Sequence, residues 1–187
     1  LNARVMSSLK PQRTYAESVF CHQPVKPFDM GSHVDGMNEL RDAVTLACMA
    51  SYAQGMELLR LGSIEYDYKL NMSDIAQIWK GGCIIRSRLL NRIQDAFNAD
   101  SDLSNLFIDP WFVQQVNRRL PGLAKVVAGA AESGIPVPCL SSTLDYLNSY
   151  RTARLPQNLV QAMRDCFGSH TYQRIDKEGT FHTEWLN

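Results

Sequence analysis

The sequence has no Gly-x-Gly-x-x-Gly and no P-loop pattern, so it carries no nucleotide-binding fingerprint of its own. Gly81-Gly82 is the sole glycine pair and reads as a tight junction between helices. Charge of one sign is also missing: nineteen basic side chains balance nineteen acidic ones. No global field is available to draw in nucleic acid or an anionic membrane, and any anion recognition has to be local. Nothing in the sequence resembles a signal peptide, and no membrane span is expected, because the longest uncharged run lies between Asp42 and Glu57 and is too short to cross a bilayer. The five cysteines are odd in number and scattered through apolar runs, which reads as reduced thiols in a cytoplasmic protein. Cys21-His22 with His33 leaves two of the usual four metal ligands unaccounted for, so no metal site is expected. No serine sits in a nucleophile elbow, and no carboxylate pair announces acid–base chemistry.

What is present is helical patterning over 187 residues, enough for one ordinary domain with a real core. Leu1 to about Arg13 reads as a helix with Pro11 near its end. Leu1, Val5 and Leu9 recur at helical spacing with no capping residue before them, which suggests a chain cut from something longer. Residues 21–31 are expected to be irregular, since Pro24 and Pro27 each remove a backbone donor. Ser32-x-x-Asp35 resembles a capping box. The helix after it runs to about Leu61 on Leu40, Ala43, Val44, Ala47, Ala50 and Ala53. Cys48, Met49, Tyr52 and Met56 add apolar surface on its other sides, so this helix is expected to be covered on nearly all faces.

Asn71-x-x-Asp74 starts a helix buried through Ile75, Ile78 and Trp79, and Cys83 to Phe97 is read as a further one. Asp109-Pro110 is a strong helix start, with a kink or break expected at Pro121-Gly122 and resumption from Leu123 to Ala131. Ile135 to Pro138 forms a rigid turn, and Leu140 to Tyr150 and Pro156 to Phe167 give two more helices. Only the tail is strand-like, as Tyr172 to Ile175 and Thr180 to Trp185 around Lys177-Glu178-Gly179. The class is all-α: a multi-helix domain over residues 1–170, then a short extended or hairpin-like C-terminal tail over 171–187.

Three residues draw attention. Arg164 lies in the last turn of its helix, where it either caps the negative helix end or recognises an anion through its guanidinium fork. The helix dipole repels a phosphate there, so periodicity alone favours the cap. His170 follows the Gly168 stop in non-helical backbone, from which it can point across a cleft or simply sit at the surface. Arg4 alone reads as a solvated charge.

Several motifs occur in order: Ala3-Arg4-Val5-Met6-Ser7-Ser8-Leu9-Lys10, Ala50-Ser51-Tyr52-Ala53-Gln54-Gly55-Met56, Ile78-Trp79-Lys80-Gly81-Gly82-Cys83-Ile84-Ile85-Arg86-Ser87, and Ala131 to Pro138. Gln161 to Tyr172 and Phe181-His182-Thr183-Glu184-Trp185 complete the set. Together they resemble the C-terminal portion of the decarboxylating 6-phosphogluconate dehydrogenases, over essentially the whole chain and most like their shorter bacterial form.

The resemblance implies an NADP-dependent oxidoreductase of the pentose phosphate pathway. Such enzymes oxidise 6-phospho-D-gluconate at C3 and release carbon dioxide, giving ribulose 5-phosphate. It also implies a homodimer built on the helical domain, with each tail threading into the other subunit through anchors such as Phe181 and Trp185. An N-terminal Rossmann domain, absent from this chain, would hold the cofactor. Matched motif by motif, Arg4 corresponds to one phosphate-binding arginine and Arg164 to a second, with His170 a substrate-contacting histidine. The last two are supplied by the neighbouring subunit, and two guanidinium groups together offset the unfavourable helix end. The family's catalytic lysine and glutamate and its Lys-Gly-Thr-Gly segment fall upstream of Leu1, so no catalytic residue is expected here and the isolated chain is expected to be inactive. The alternative is a stand-alone, non-catalytic helical dimerisation module.

Overall fold

The structure is a computed structural model that describes residues 2–20, 26–29, 31 and 33–185. Its elements are α1 (Asn2–Ser8), α2 (Lys10–Val19), α3 (His33–Glu65), α4 (Met72–Ile78), α5 (Leu89–Ala99), a 3-10 turn (Leu106–Ile108), α6 (Pro110–Glu132), α7 (Pro138–Tyr150), α8 (Asn158–Gly168), β1 (Tyr172–Gln173) and β2 (Thr180–Phe181). The all-α reading with a hairpin tail therefore holds. Two compact units are distinguished, Leu1–Leu147 and Asn148–Asn187.

The first unit is built on α3 against α6. The buried stripe of α3 is Ala43, Leu46, Met49, Ala50, Ala53 and Met56, and that of α6 is Phe112, Val116, Leu120, Leu123, Val126 and Ala130. Both repeat at three- and four-residue spacing, which puts each set on one helix face. Each fully buried large side chain contributes roughly 1.5–3 kcal/mol. Small residues let the helices approach closely. A Cβ on Gly122 would stand 3.3 Å from the Glu39 Cα and the Asp42 Cβ. Arg119 Nε lies 3.3 Å from Asp42 and Lys125 Nζ 2.6 Å from Glu39 across the same seam.

Asp109 caps α6 by accepting the Trp111 and Phe112 N–H groups at 3.0 and 3.1 Å, with Pro110 in the first turn. Of the kink or break expected at Pro121-Gly122, the break does not occur: α6 runs through it. Leu120 and Leu123 on either side are held in the core and Gly122 is seated on α3, so tertiary contact outweighs the one lost helix donor. Pro11 is likewise not at a helix end. Leu9 interrupts the helical backbone, and Pro11 lies in the first turn of a second helix, where its missing N–H costs nothing.

The near-complete covering expected for α3 is corrected as well. Met37, Leu40, Val44, Leu58, Leu61 and Ile64 are exposed, Leu58 by 72%. One stripe is packed, and covering the rest needs a second layer that the described residues do not provide. Asn71 caps α4 as expected, accepting from the Ser73 and Asp74 N–H groups at 2.9 and 3.2 Å. The residues α4 buries are Met72, Ser73 and Ala76, whereas Ile78 is exposed. Cys83 and Ile84 precede α5 instead of belonging to it, and Ile84 is 100% exposed. A buried Asn105 ties the centre together. It accepts from the Phe107 N–H at 2.9 Å and donates to Glu57 at 2.9 Å and the Tyr146 hydroxyl at 2.8 Å.

In the second unit, β1 and β2 pair antiparallel with Tyr172 opposite Phe181 and Gln173 opposite Thr180. Gly179, at φ 112°, makes the turn that returns the chain. The expected Ser32 capping box and the Cys21, His22 and His33 side chains lie outside the described residues. Among the described residues, no group of three or more His, Cys, Asp or Glu could hold a metal ion. No helix among them is long and apolar enough to cross a membrane.

Candidate functional site

Arg4 is exposed on α1, in the first unit. Beside α1 lies a groove of about 620 Å³ lined by Met6, Ser7, Arg13, Val127, Ile135 and Pro138 among others. Its one cation is engaged: the Arg13 guanidinium donates to the Met6 and Ser7 carbonyls. The groove is therefore mostly apolar and Arg4 is not part of its lining.

Arg164 and His170 belong to the second unit. Arg164 is exposed but stands one turn before the end of α8, which runs on to Gly168 and has no basic residue in its last turn, so the helix-end cap expected of Arg164 is corrected. His170 lies just past that end. Arg164 Nη1 donates to Gln161 Oε1 at 3.2 Å, one turn back, so its fork is only partly engaged. Gly168 is not the left-handed stop that its position suggests. It is the last residue of α8, and Ser169 takes the left-handed cap at φ 50°, ψ 37°. Gly168 serves a different purpose: the His170 ring lies over it, with Cδ2 3.1 Å from where a Cβ would be. Arg164 and His170 are thus brought to one helix end, and Arg4 is in the other unit.

The strongest organising group is one that the sequence pattern does not single out. Asp165 is 0% exposed, next to the exposed Arg164, and its carboxylate accepts four hydrogen bonds. Oδ1 takes the Thr171 N–H at 2.9 Å and His182 Nδ1 at 2.9 Å. Oδ2 takes the Thr183 N–H at 3.0 Å and the Trp185 indole N–H at 2.9 Å. Burial pushes this carboxyl up, but the bonds from His182, Thr183 and Trp185 outweigh it and hold it well below the usual carboxylate range. The same bond to Asp165 raises the His182 imidazole above its ordinary value, against burial and with help from the Asp165 and Glu184 charges.

The carboxylate thus draws the end of the tail back onto the last helix. Trp185, expected as an anchor against a partner, spends its N–H within its own unit. Phe181 packs on Tyr172 with ring centroids 6.2 Å apart and carries the Arg174 guanidinium over its ring at 5.6 Å. In the structure Asp165 follows the half-buried Gln161 and Ala162 by one helical turn, on the side of α8 that meets the tail.

Fold and site together define an all-helical domain with an exposed cationic helix end and a tail clamped behind it. The chain belongs to the 6-phosphogluconate dehydrogenase family, whose C-terminal-domain sequence model matches residues 1–185. It is 48% identical over 186 residues to the decarboxylating 6-phosphogluconate dehydrogenase of Synechococcus elongatus, covering 100% of this chain and 39% of that protein. To the Escherichia coli enzyme of the same name it is 46% identical over 185 residues, covering 99% and 39%. A solved structure of Plasmodium falciparum 6-phosphogluconate dehydrogenase, described in apo form and with NADP+ or 6-phosphogluconate, superposes with a TM-score of 0.89. That pair is 43% identical over 99% of this chain and 40% of the other. The chain therefore spans about two fifths of the length of these relatives.

Proposed function

We propose that this chain is the dimer-building and substrate-phosphate-binding part of an NADP-dependent 6-phosphogluconate dehydrogenase. The full enzyme would convert 6-phospho-D-gluconate to ribulose 5-phosphate and carbon dioxide. In this reading Arg164 and His170 of one subunit meet Arg4 of the other around the substrate phosphate. Two guanidinium groups then supply the charge-assisted, forked hydrogen bonds that one arginine could not supply alone. The observation that carries the reading is the family match over residues 1–185, a span that includes Arg4, Arg164 and His170.

The exposed apolar face of α3 supports the homodimer. Val44, Leu58, Leu61 and Ile64 form the kind of surface that a second copy would cover. The described residues contain no dinucleotide-binding strand–turn–helix unit. The two strands have two residues each, and no glycine turn leads from a strand into a helix. NADP would therefore be held by the N-terminal domain of the full enzyme, along with the groups that move protons.

The purified 187-residue chain, given 6-phosphogluconate and NADP, should give no NADPH, whereas the full-length enzyme should. Turnover by the isolated chain would overturn this division of labour.

A further inference from the structure

The segment that carries His170 is held against its backbone preference. Ser169 and Thr171, on either side of it, are both left-handed at φ 50° and 57°, a conformation that non-glycine residues adopt only where surrounding contacts impose it. The Ser169 N–H donates to the Asp165 carbonyl at 2.9 Å, and the Thr171 N–H donates to the Asp165 carboxylate at 2.9 Å. Gln161 Nε2 donates to the Thr171 carbonyl at 2.5 Å, and Arg164 donates to that same Gln161. The turn behind His170 thus closes onto Asp165 and Gln161, and the Arg164 guanidinium shares the Gln161 amide. The remaining acceptor sites of Asp165 are filled by His182, Thr183 and Trp185 from the tail.

The geometry points to Asp165 as the positioning residue of the substrate-phosphate site: its buried carboxylate sets His170 beside Arg164 and makes that arrangement depend on a docked tail. The inference rests on the reading of Arg164 and His170 as phosphate contacts. A carboxylate is required because each oxygen accepts two donors. An asparagine amide would aim its NH₂ at two other donors, leaving one pair unpaired in a buried site. The tail or the His170 turn would then have to move. Either movement is read as weaker substrate binding with the cofactor site untouched.

The test is Asp165→Asn in the full-length enzyme, with fold and dimer checked by circular dichroism and sedimentation. The expected result is a KM for 6-phosphogluconate raised about tenfold or more, a KM for NADP within about twofold of wild type, and kcat changed less than the substrate KM. Added to Arg164→Ala, Asp165→Asn should contribute much less than it does alone, because both act through one contact. A folded, dimeric Asp165→Asn enzyme with unchanged substrate KM overturns the inference, as does full additivity with Arg164→Ala. If Arg164→Ala itself leaves the substrate KM unmoved, it is the underlying phosphate reading that fails. Should Asp165→Asn not fold, His182→Gln and Trp185→Phe decide, each removing one donor. A several-fold rise in substrate KM is expected for both, and wild-type values for both overturn the role of Asp165.

Discussion

The imidazole of His170 lies over Gly168, two residues before it, with its Cδ2 3.1 Å from the position a Cβ would take. Gly168→Ala should therefore push the ring aside while leaving the helix intact. Alanine is the better helix former by roughly 0.5–1 kcal/mol in a helix interior, so urea stability should be unchanged or slightly higher. The KM for 6-phosphogluconate in the full enzyme should rise several-fold. Lost stability with an unchanged KM would contradict a positional role for this glycine.

The tail clamp has a pH window whose sides come from opposite shifts. His182 is raised above its ordinary value of about 6.5, so its contribution is complete below that pH and is lost as pH rises through the higher folded value. Asp165 is depressed, so its contribution is complete above its ordinary value of about 3.8 and is lost as pH falls through the lower folded one. Docking of the tail is therefore firmest between about pH 4 and 6.5 and loosens on the alkaline side. The Trp185 indole N–H resonance reports this directly, and in His182→Gln the alkaline loosening should disappear. Loosening that begins on acidification from about pH 6 to 5 would have the wrong sign.

Across the α3–α6 seam, a Cβ placed on Gly122 already comes within 3.3 Å of Glu39 backbone. Gly122→Val should destabilise by about 1–3 kcal/mol through overpacking. Phe112→Ala, at a fully buried position, should cost about 3–5 kcal/mol. Urea unfolding at one protein concentration measures both, and a neutral Gly122→Val would mean that the two helices are not in this contact.

Loss of the Asp109 cap has a smaller and equally specific effect. Asp109→Ala frees the Trp111 and Phe112 N–H groups and should lower stability by about 1 kcal/mol. Asp109→Asn or Asp109→Ser should recover most of it, which separates capping from any effect of charge.

Helix existence was legible in the sequence wherever a local device wrote it: Asn71 and Asp109 are caps in the structure as they are in the pattern. Periodicity could not show how tertiary contacts would treat the same residues. Pro121 looks like a break until Leu120, Gly122 and Leu123 are seen seated against the core and α3. Leu40 and Val44 have inward spacing, yet they face outward, because a hydrophobic pattern does not distinguish a core face from a face kept for a partner. Arg4, Arg164 and His170 came from motif resemblance; position alone favoured plain surface roles for the two arginines and left His170 open between a surface and a cleft role. Asp165 was hidden for a different reason. Between exposed Arg164 and exposed Cys166 it reads as one more solvated charge, and its four donors come from residues six to twenty positions later.

The most direct test of the shared phosphate site is a purified heterodimer of full-length subunits, one carrying Arg4→Ala and the other Arg164→Ala. If each site takes Arg4 from one subunit and Arg164 from the other, one site of the pair loses both arginines and the second keeps both. Each mutant homodimer should then be severely impaired, and the heterodimer should regain about half of the wild-type kcat/KM per dimer, as two-fold symmetry requires. A heterodimer no more active than the homodimers would contradict a site built from two subunits.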